Sequence, residues 1–151
     1  MIVRAMATVA VSTAIVAAVS ACAQWDSRLR ANDSVRGNDI IGKPFAPSAD
    51  ATRGREVFTQ REQGHCVLCH DIPGVERAGN VGPSLAGVGK RLTPSQIRLR
   101  VADITRVYPE SVMPTFHRVD GLVRVAPQYR GKPALDSQQV EDLVAFLSSL
   151  Q

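Results

Sequence analysis

Apolar residues are arranged along this chain in two ways, as one unbroken run and as three helical stripes. The run lies at the start: from Ala5 to Trp25 the sequence AMATVAVSTAIVAAVSACAQW holds no charged residue, and Arg4 stands just ahead of it. The clearest stripe lies at the other end, where Val140, Leu143, Val144, Leu147 and Leu150 keep to one helical face. Asp136 is placed as its N-cap and Gln139 as the capping-box partner, so a C-terminal amphipathic helix is predicted. A second helix is predicted over PSQIRLRVADI, with Thr93 as cap, Pro94 at the first helical position, and Ile97, Val101 and Ile104 in a row. A third, weaker one covers ATRGREVFTQRE. Asp50 caps it, Gly54 and Phe58 share a face, and the pattern carries it to Gly64.

Between the last two helices, residues 105–135 show no helical period. A stretch this long without regular structure is usually functional. Inside it, Asp120 and Gly121 make a turn signal between FHRV and LVRV, which predicts a small β-hairpin. The expected fold is therefore all-α, with short helices and that one possible hairpin. Three helices over about 100 residues make a thin hydrophobic core, so something else has to help fill it.

The apolar run has the form of a signal peptide over residues 1–23: a short positive start, an apolar middle and a small-residue end. Its Ala, Val, Ser and Thr residues are weakly hydrophobic for a permanent membrane span. Two cuts fit. Ala21-Cys22-Ala23 is an AxA site that would release Gln24, whereas Val19-Ser20-Ala21-Cys22 resembles a lipobox, with cleavage after residue 21 and a lipid on Cys22. The first product is free in the periplasm, and the second is anchored to a membrane facing it. Residues 24–49, polar with Gly37, Gly42, Pro44 and Pro47, then form an N-terminal extension that either wraps a partner or is a disordered leader, and residues 50–151 form the domain proper.

Composition changes little: 151 residues with 44% hydrophobic and 21% charged suit one globular domain. The cysteines change more. With Cys22 discarded or acylated, only Cys66 and Cys69 remain, and His70 follows to make CVLCH. This is the CxxCH of covalent haem attachment, in which two thiols add to the two porphyrin vinyls and the adjacent histidine lies beneath the iron. Zinc would need two more Cys or His ligands, and only His65 and His117 are on offer. A thioredoxin-like pair would need a βαβ context that is missing. One covalent haem c with His70 as axial ligand is expected.

For the opposite axial position Met113 is the only thioether outside the leader. It sits in VMPTF between Pro109 and Pro114, which favour an extended loop. His117 is the rival ligand and otherwise reads as a surface residue; His65 adjoins the attachment site too closely.

The strings CVLCH, NVGPSLAGVGKR and VMPTF, followed by the terminal amphipathic helix, resemble a class I cytochrome c over roughly residues 50–151. The resemblance implies that the carbonyl of Pro83 accepts from the far ring nitrogen of His70. It also implies that Gly54 and Phe58 cross the last helix near Phe146. A narrower likeness runs through GNVGPSLAGVGKRL, VADITRVYPESVMP and MPTFHRVDGLVRVAPQYRGKPAL, which are similar to the SoxX subunits of SoxAX complexes in thiosulfate oxidation. That likeness implies a SoxA-like partner, transient contact with a sulfur carrier protein and an electron-acceptor cytochrome, and the role of electron-transfer subunit in a heteromeric cysteine S-thiosulfotransferase. No residue of this chain is then catalytic by itself, because no free thiol remains once Cys66 and Cys69 are alkylated, unless an unlipidated Cys22 survives at the N-terminus. The alternative is a free periplasmic electron carrier. Nine basic residues between Lys90 and Lys132 face only Asp103, Glu110 and Asp120, an excess suited either to docking an acidic partner or oxyanion or simply to solubility. Nucleic acid is not an expected partner.

Overall fold

The computed structural model describes residues 35–37, 39–40 and 44–151. The leader and much of the extension, including Cys22 and both cleavage sites, lie outside the described residues. Helix α1 spans Ala51–Thr59, α2 Val88–Arg91, α3 Pro94–Asp103 and α4 Ser137–Ser149, joined by single 3-10 turns at Cys66–Leu68, Ile104–Arg106 and Pro127–Tyr129.

Local chemistry starts each long helix where the sequence placed it. Asp50 accepts from the Arg53 amide, and reciprocal capping boxes join Thr93 to Gln96 and Asp136 to Gln139. The end of α1 differs from expectation, since it stops at Thr59 rather than running to Gly64. Gln60 turns extended and the Gly64 amide returns to the Val57 carbonyl at 3.0 Å, which folds residues 61–64 back on the helix.

α1 crosses α4 at Gly54, where an added Cβ would lie 2.0 Å from the Asp142 carbonyl oxygen and 2.7 Å from Phe146 Cβ. Phe58 then meets Phe146 edge to face at 5.7 Å, as the resemblance implied, a geometry worth about 1 kcal/mol beyond burial. Arg53 clamps the same crossing through two bonds to the Asp142 carboxylate, at 2.7 and 2.8 Å. α3 closes the other side. Its Ile97, Leu99, Val101 and Ala102 join Leu135, Val140, Leu143 and Leu147 in one core.

The hairpin expected around Asp120-Gly121 does not form. Those two residues do turn, but the strand-forming amides before them are used elsewhere: Phe116 donates to the Val101 carbonyl, and His117 and Arg118 donate to that of Ala102. The end of α3 has captured the segment that would have paired. The only strands among the described residues precede the domain: β1, Val35–Arg36, pairs antiparallel with β2, Asp39–Ile40.

The packed unit also begins earlier than Asp50. Ile40 and Phe45 are buried in the core, the Asp39 carboxylate accepts from the Thr93 and Ser95 hydroxyls, and the Phe45 amide donates to Glu141 at 2.9 Å. Residues 39–40 and 44–50 thus act as a strap across α3 and α4. Among the described residues no helix is long and apolar enough to cross a membrane.

Candidate functional site

The proximal half is built almost wholly from residues 64–85. His65, in the left-handed region at φ 47°, turns the chain into the 3-10 turn that carries Cys66, and the His70 amide closes that turn on the Cys66 carbonyl at 2.9 Å. The two cysteines are not joined to each other. Burial pushes the Cys66 thiol up to about 12, so before alkylation it stays protonated at neutral pH.

The following loop folds back over this turn. Gly79 donates to the Val67 carbonyl and Gly82 to that of Cys69, at 2.9 and 2.8 Å. Both contacts need glycine: an added Cβ would sit 1.8 Å from the Leu68 carbonyl oxygen at Gly79, and 2.4 Å from His70 Cε1 at Gly82. His70 Nδ1 lies 2.8 Å from the Pro83 carbonyl oxygen. A carbonyl can only accept, so Nδ1 carries the proton and Nε2 keeps its lone pair for a metal.

The distal half rests on longer-range contacts. Met113 is half-buried in the loop after α3, and its amide donates to the Ser111 hydroxyl at 3.2 Å. His117 is not a surface residue. It is 1% exposed, its Nδ1 donates to the Leu135 carbonyl at 2.9 Å, and its ring stacks on Phe45 at 5.0 Å. Those contacts make it a core strut rather than a surface residue. Nothing in the sequence signalled this, because HRV reads as polar loop.

The basic region is thinner than its residue count. Arg98 is buried against Glu141, Arg106 and Arg118 converge on Asp103, and Arg91 donates to the Ser84 and Ala86 carbonyls. Lys90, Arg124, Arg130 and Lys132 are exposed.

One feature fits a haem: the histidine of CVLCH is fixed in the tautomer whose Nε2 is free for iron, with both thiols in the turn just before it. Among the described residues no three His, Cys, Asp or Glu side chains gather as a metal site of their own.

Residues 51–151 match the family model for cytochrome c. The chain belongs to the cytochrome c family. Its cofactor is therefore a covalently bound haem c, and the four-helix arrangement is the class I cytochrome c fold. A cytochrome c-553-like protein of a Synechocystis species is 30% identical over 110 residues, covering 73% of this chain and 78% of that protein. A chain in the crystal structure of SoxXA from P. pantotrophus superposes with a TM-score of 0.68 at 35% identity, covering 75% of this chain and 90% of that one. The protein is thus a SoxX-like monohaem cytochrome c, and electron transfer is its chemistry.

The sequence missed the two glycines that hold the proximal loop, the burial of His117, and the pair Asp103–Arg118. Only the glycines left a trace, as AGNVGP, a string too rich in turn formers for the turn reading alone.

Proposed function

We propose that this cytochrome is the electron-transfer subunit of a SoxAX-type complex that oxidatively joins thiosulfate to a cysteine of a carrier protein. The observation that carries this reading is the likeness to the SoxXA chain, which extends over nine-tenths of that chain at 35% identity. The partner is a SoxA-like subunit, with the sulfur carrier and an acceptor cytochrome docking transiently. The protein works in the periplasm, exported by its signal peptide or held there through a lipid on Cys22.

When bound, the haem supplies a one-electron couple. His70 would hold the iron through Nε2, its Nδ1 proton kept by the bond to the Pro83 carbonyl. Met113 would supply a thioether ligand, which raises the potential relative to a second histidine. Two ligands from the chain itself would leave the haem to carry electrons rather than bind substrate. The coupling itself loses a proton from the carrier thiol and two electrons as the S–S bond forms, and this chain passes those electrons on singly.

Reconstitution tests the proposal. With a purified SoxA-like subunit and carrier, the carrier should gain an –S–SO3⁻ group, the mass of thiosulfate less the thiol hydrogen, only when all components are present. Coupling by this chain alone would move catalysis onto it. Met113→Ala should keep the covalent haem by mass and lose the near-infrared methionine-to-iron band; if the unaltered protein lacks that band, or Met113→Ala retains it, the ligand assignment is wrong. The c-553-like relative favours a second reading, a freely diffusing electron carrier. Failure to associate with any SoxA-like subunit would select it.

A further inference from the structure

The loop that carries Met113 is closed at its base by a cluster of side chains and amides that touch nothing else in the proposed haem site. Asp103, the last residue of α3, is fully buried. One carboxylate oxygen accepts from the Thr105 amide at 3.2 Å and the Thr105 hydroxyl at 2.6 Å. The other accepts from Arg106 Nε at 3.3 Å and Arg118 Nη1 at 3.2 Å. Arg118 Nη1 also reaches the Thr105 hydroxyl at 3.0 Å, so the three side chains form a closed triangle.

Thr105 enters the loop and Arg118 leaves it. Beside the triangle, the amides of residues 116–118 bond to the last carbonyls of α3. Residues 106–115, with Met113 among them, are thereby drawn into a loop whose two ends meet at one buried carboxylate. Inside it the hydrogen bonds are local: Val107 and Tyr108 amides to Ile104, Ser111 to Tyr108, and Met113 to the Ser111 hydroxyl, with Val107 packed against the core. Val112, next to Met113, is 86% exposed, so packing does little to hold the tip.

We infer that Asp103 and Arg118 are positioning residues for the distal ligand. Their buried clasp holds the Met113 sulfur on the iron and so shuts the distal position to outside ligands. This rests on the reading of Met113 as axial ligand. The physical ground is that a thioether is a weak, neutral ligand whose occupancy depends on its being presented in place. Closing a loop lowers the entropy lost each time the bond re-forms. A buried carboxylate sharing four donors is a strong closure because removing it strands the guanidinium and the hydroxyl together.

The test uses the full-length, haem-loaded protein and imidazole as an external ligand, with the near-infrared methionine-to-iron band as second readout. Asp103→Asn should bind imidazole at least tenfold more tightly than the unaltered protein and show a weakened band, with both thioethers intact by mass. Arg118→Gln should do the same to a lesser degree and covers the case in which Asp103→Asn fails to fold. Arg118→Lys, which keeps a charge for Asp103, should recover most of the band. Arg53→Ala is the control for general loosening. It breaks the clamp between α1 and α4, so it should lower the melting temperature while raising imidazole affinity far less than Arg118→Gln does. If the unaltered protein shows the band and Arg118→Gln keeps both band and affinity, the clasp is overturned and Met113 ligation stands. An equal gain in affinity from Arg53→Ala also overturns it. If the unaltered protein lacks the band, Met113 ligation fails and the clasp falls with it.

Discussion

The two sides of the haem site are held by different means. On the proximal side, the hydrogen bonds that place His70 join residues within 65–83: the turn at Cys66, the amides of Gly79 and Gly82, and the Pro83 carbonyl. On the distal side, Met113 depends on groups scattered from the strap to the final helix. Asp103 closes the base of its loop, His117 ties the loop's exit to Leu135 ahead of α4, and Phe45 covers His117 from the strap. A short-range site forms wherever its segment forms. A long-range one exists only when the whole chain has folded, so its ligand is the one that opens first when the fold loosens.

The sharpest break of this contrast is Phe45→Ala. Removing a buried ring that stacks on His117 and lies 5.9 Å from the Arg98 guanidinium should cost about 4 kcal/mol. Denaturant titration of the haem-loaded protein measures it. The distal methionine band should fade at lower denaturant than the global transition, and coincident loss of both would mean that the two sides are equally cooperative. Next is Gly79→Ala, the proximal counterpart. Its Cβ would strike backbone rather than a movable side chain, and a loss of about 3 kcal/mol in thermal unfolding is expected. If the variant is as stable as its parent, the proximal loop is looser than its contacts imply.

Asp142→Asn probes the scaffold that both sides share. Burial would raise the Asp142 carboxyl, but hydrogen bonds from Arg53, the Asp50 amide and Gln138 prevail and hold it below the usual carboxylate range. A carboxyl lowered in the folded state adds stability above its unfolded value near 4 and loses that contribution as pH falls through the lowered folded value. The substitution should therefore cost about 2 kcal/mol at pH 7 and almost nothing in strong acid. Unfolding curves across that range check it, and a constant deficit at all pH values would refute the linkage. Smallest is Val112→Ser, expected to change stability by less than about 0.5 kcal/mol because the side chain stands in solvent. A larger loss would show that the tip of the distal loop is braced by packing after all.

The legibility of the molecule follows the same divide. The CVLCH string and the starts of α1, α3 and α4 were written in short strings or helical stripes, each depending on neighbours within a turn or two. The crossing of Gly54 with Phe146 came through the likeness to class I cytochromes c and is found in the structure. The early end of α1 was not readable, since it turns on Gly64 bonding back to Val57. Nor was the missing hairpin at Asp120-Gly121, whose strand amides went to Val101 and Ala102 instead. His117 looked like polar loop and proved to be core, and the basic count from Lys90 to Lys132 concealed that Arg98, Arg106 and Arg118 are already paired. These outcomes share a physical reason. A backbone amide or a charged side chain bonds to whichever partner the fold brings closest, and that choice is made among residues far apart in sequence. The sequence by itself determined the covalent chemistry of the site and the elements that frame it, because those rest on local spacing. Only the tertiary structure decided which side chains hold the distal loop, because competition for buried hydrogen bonds is settled after the chain has packed.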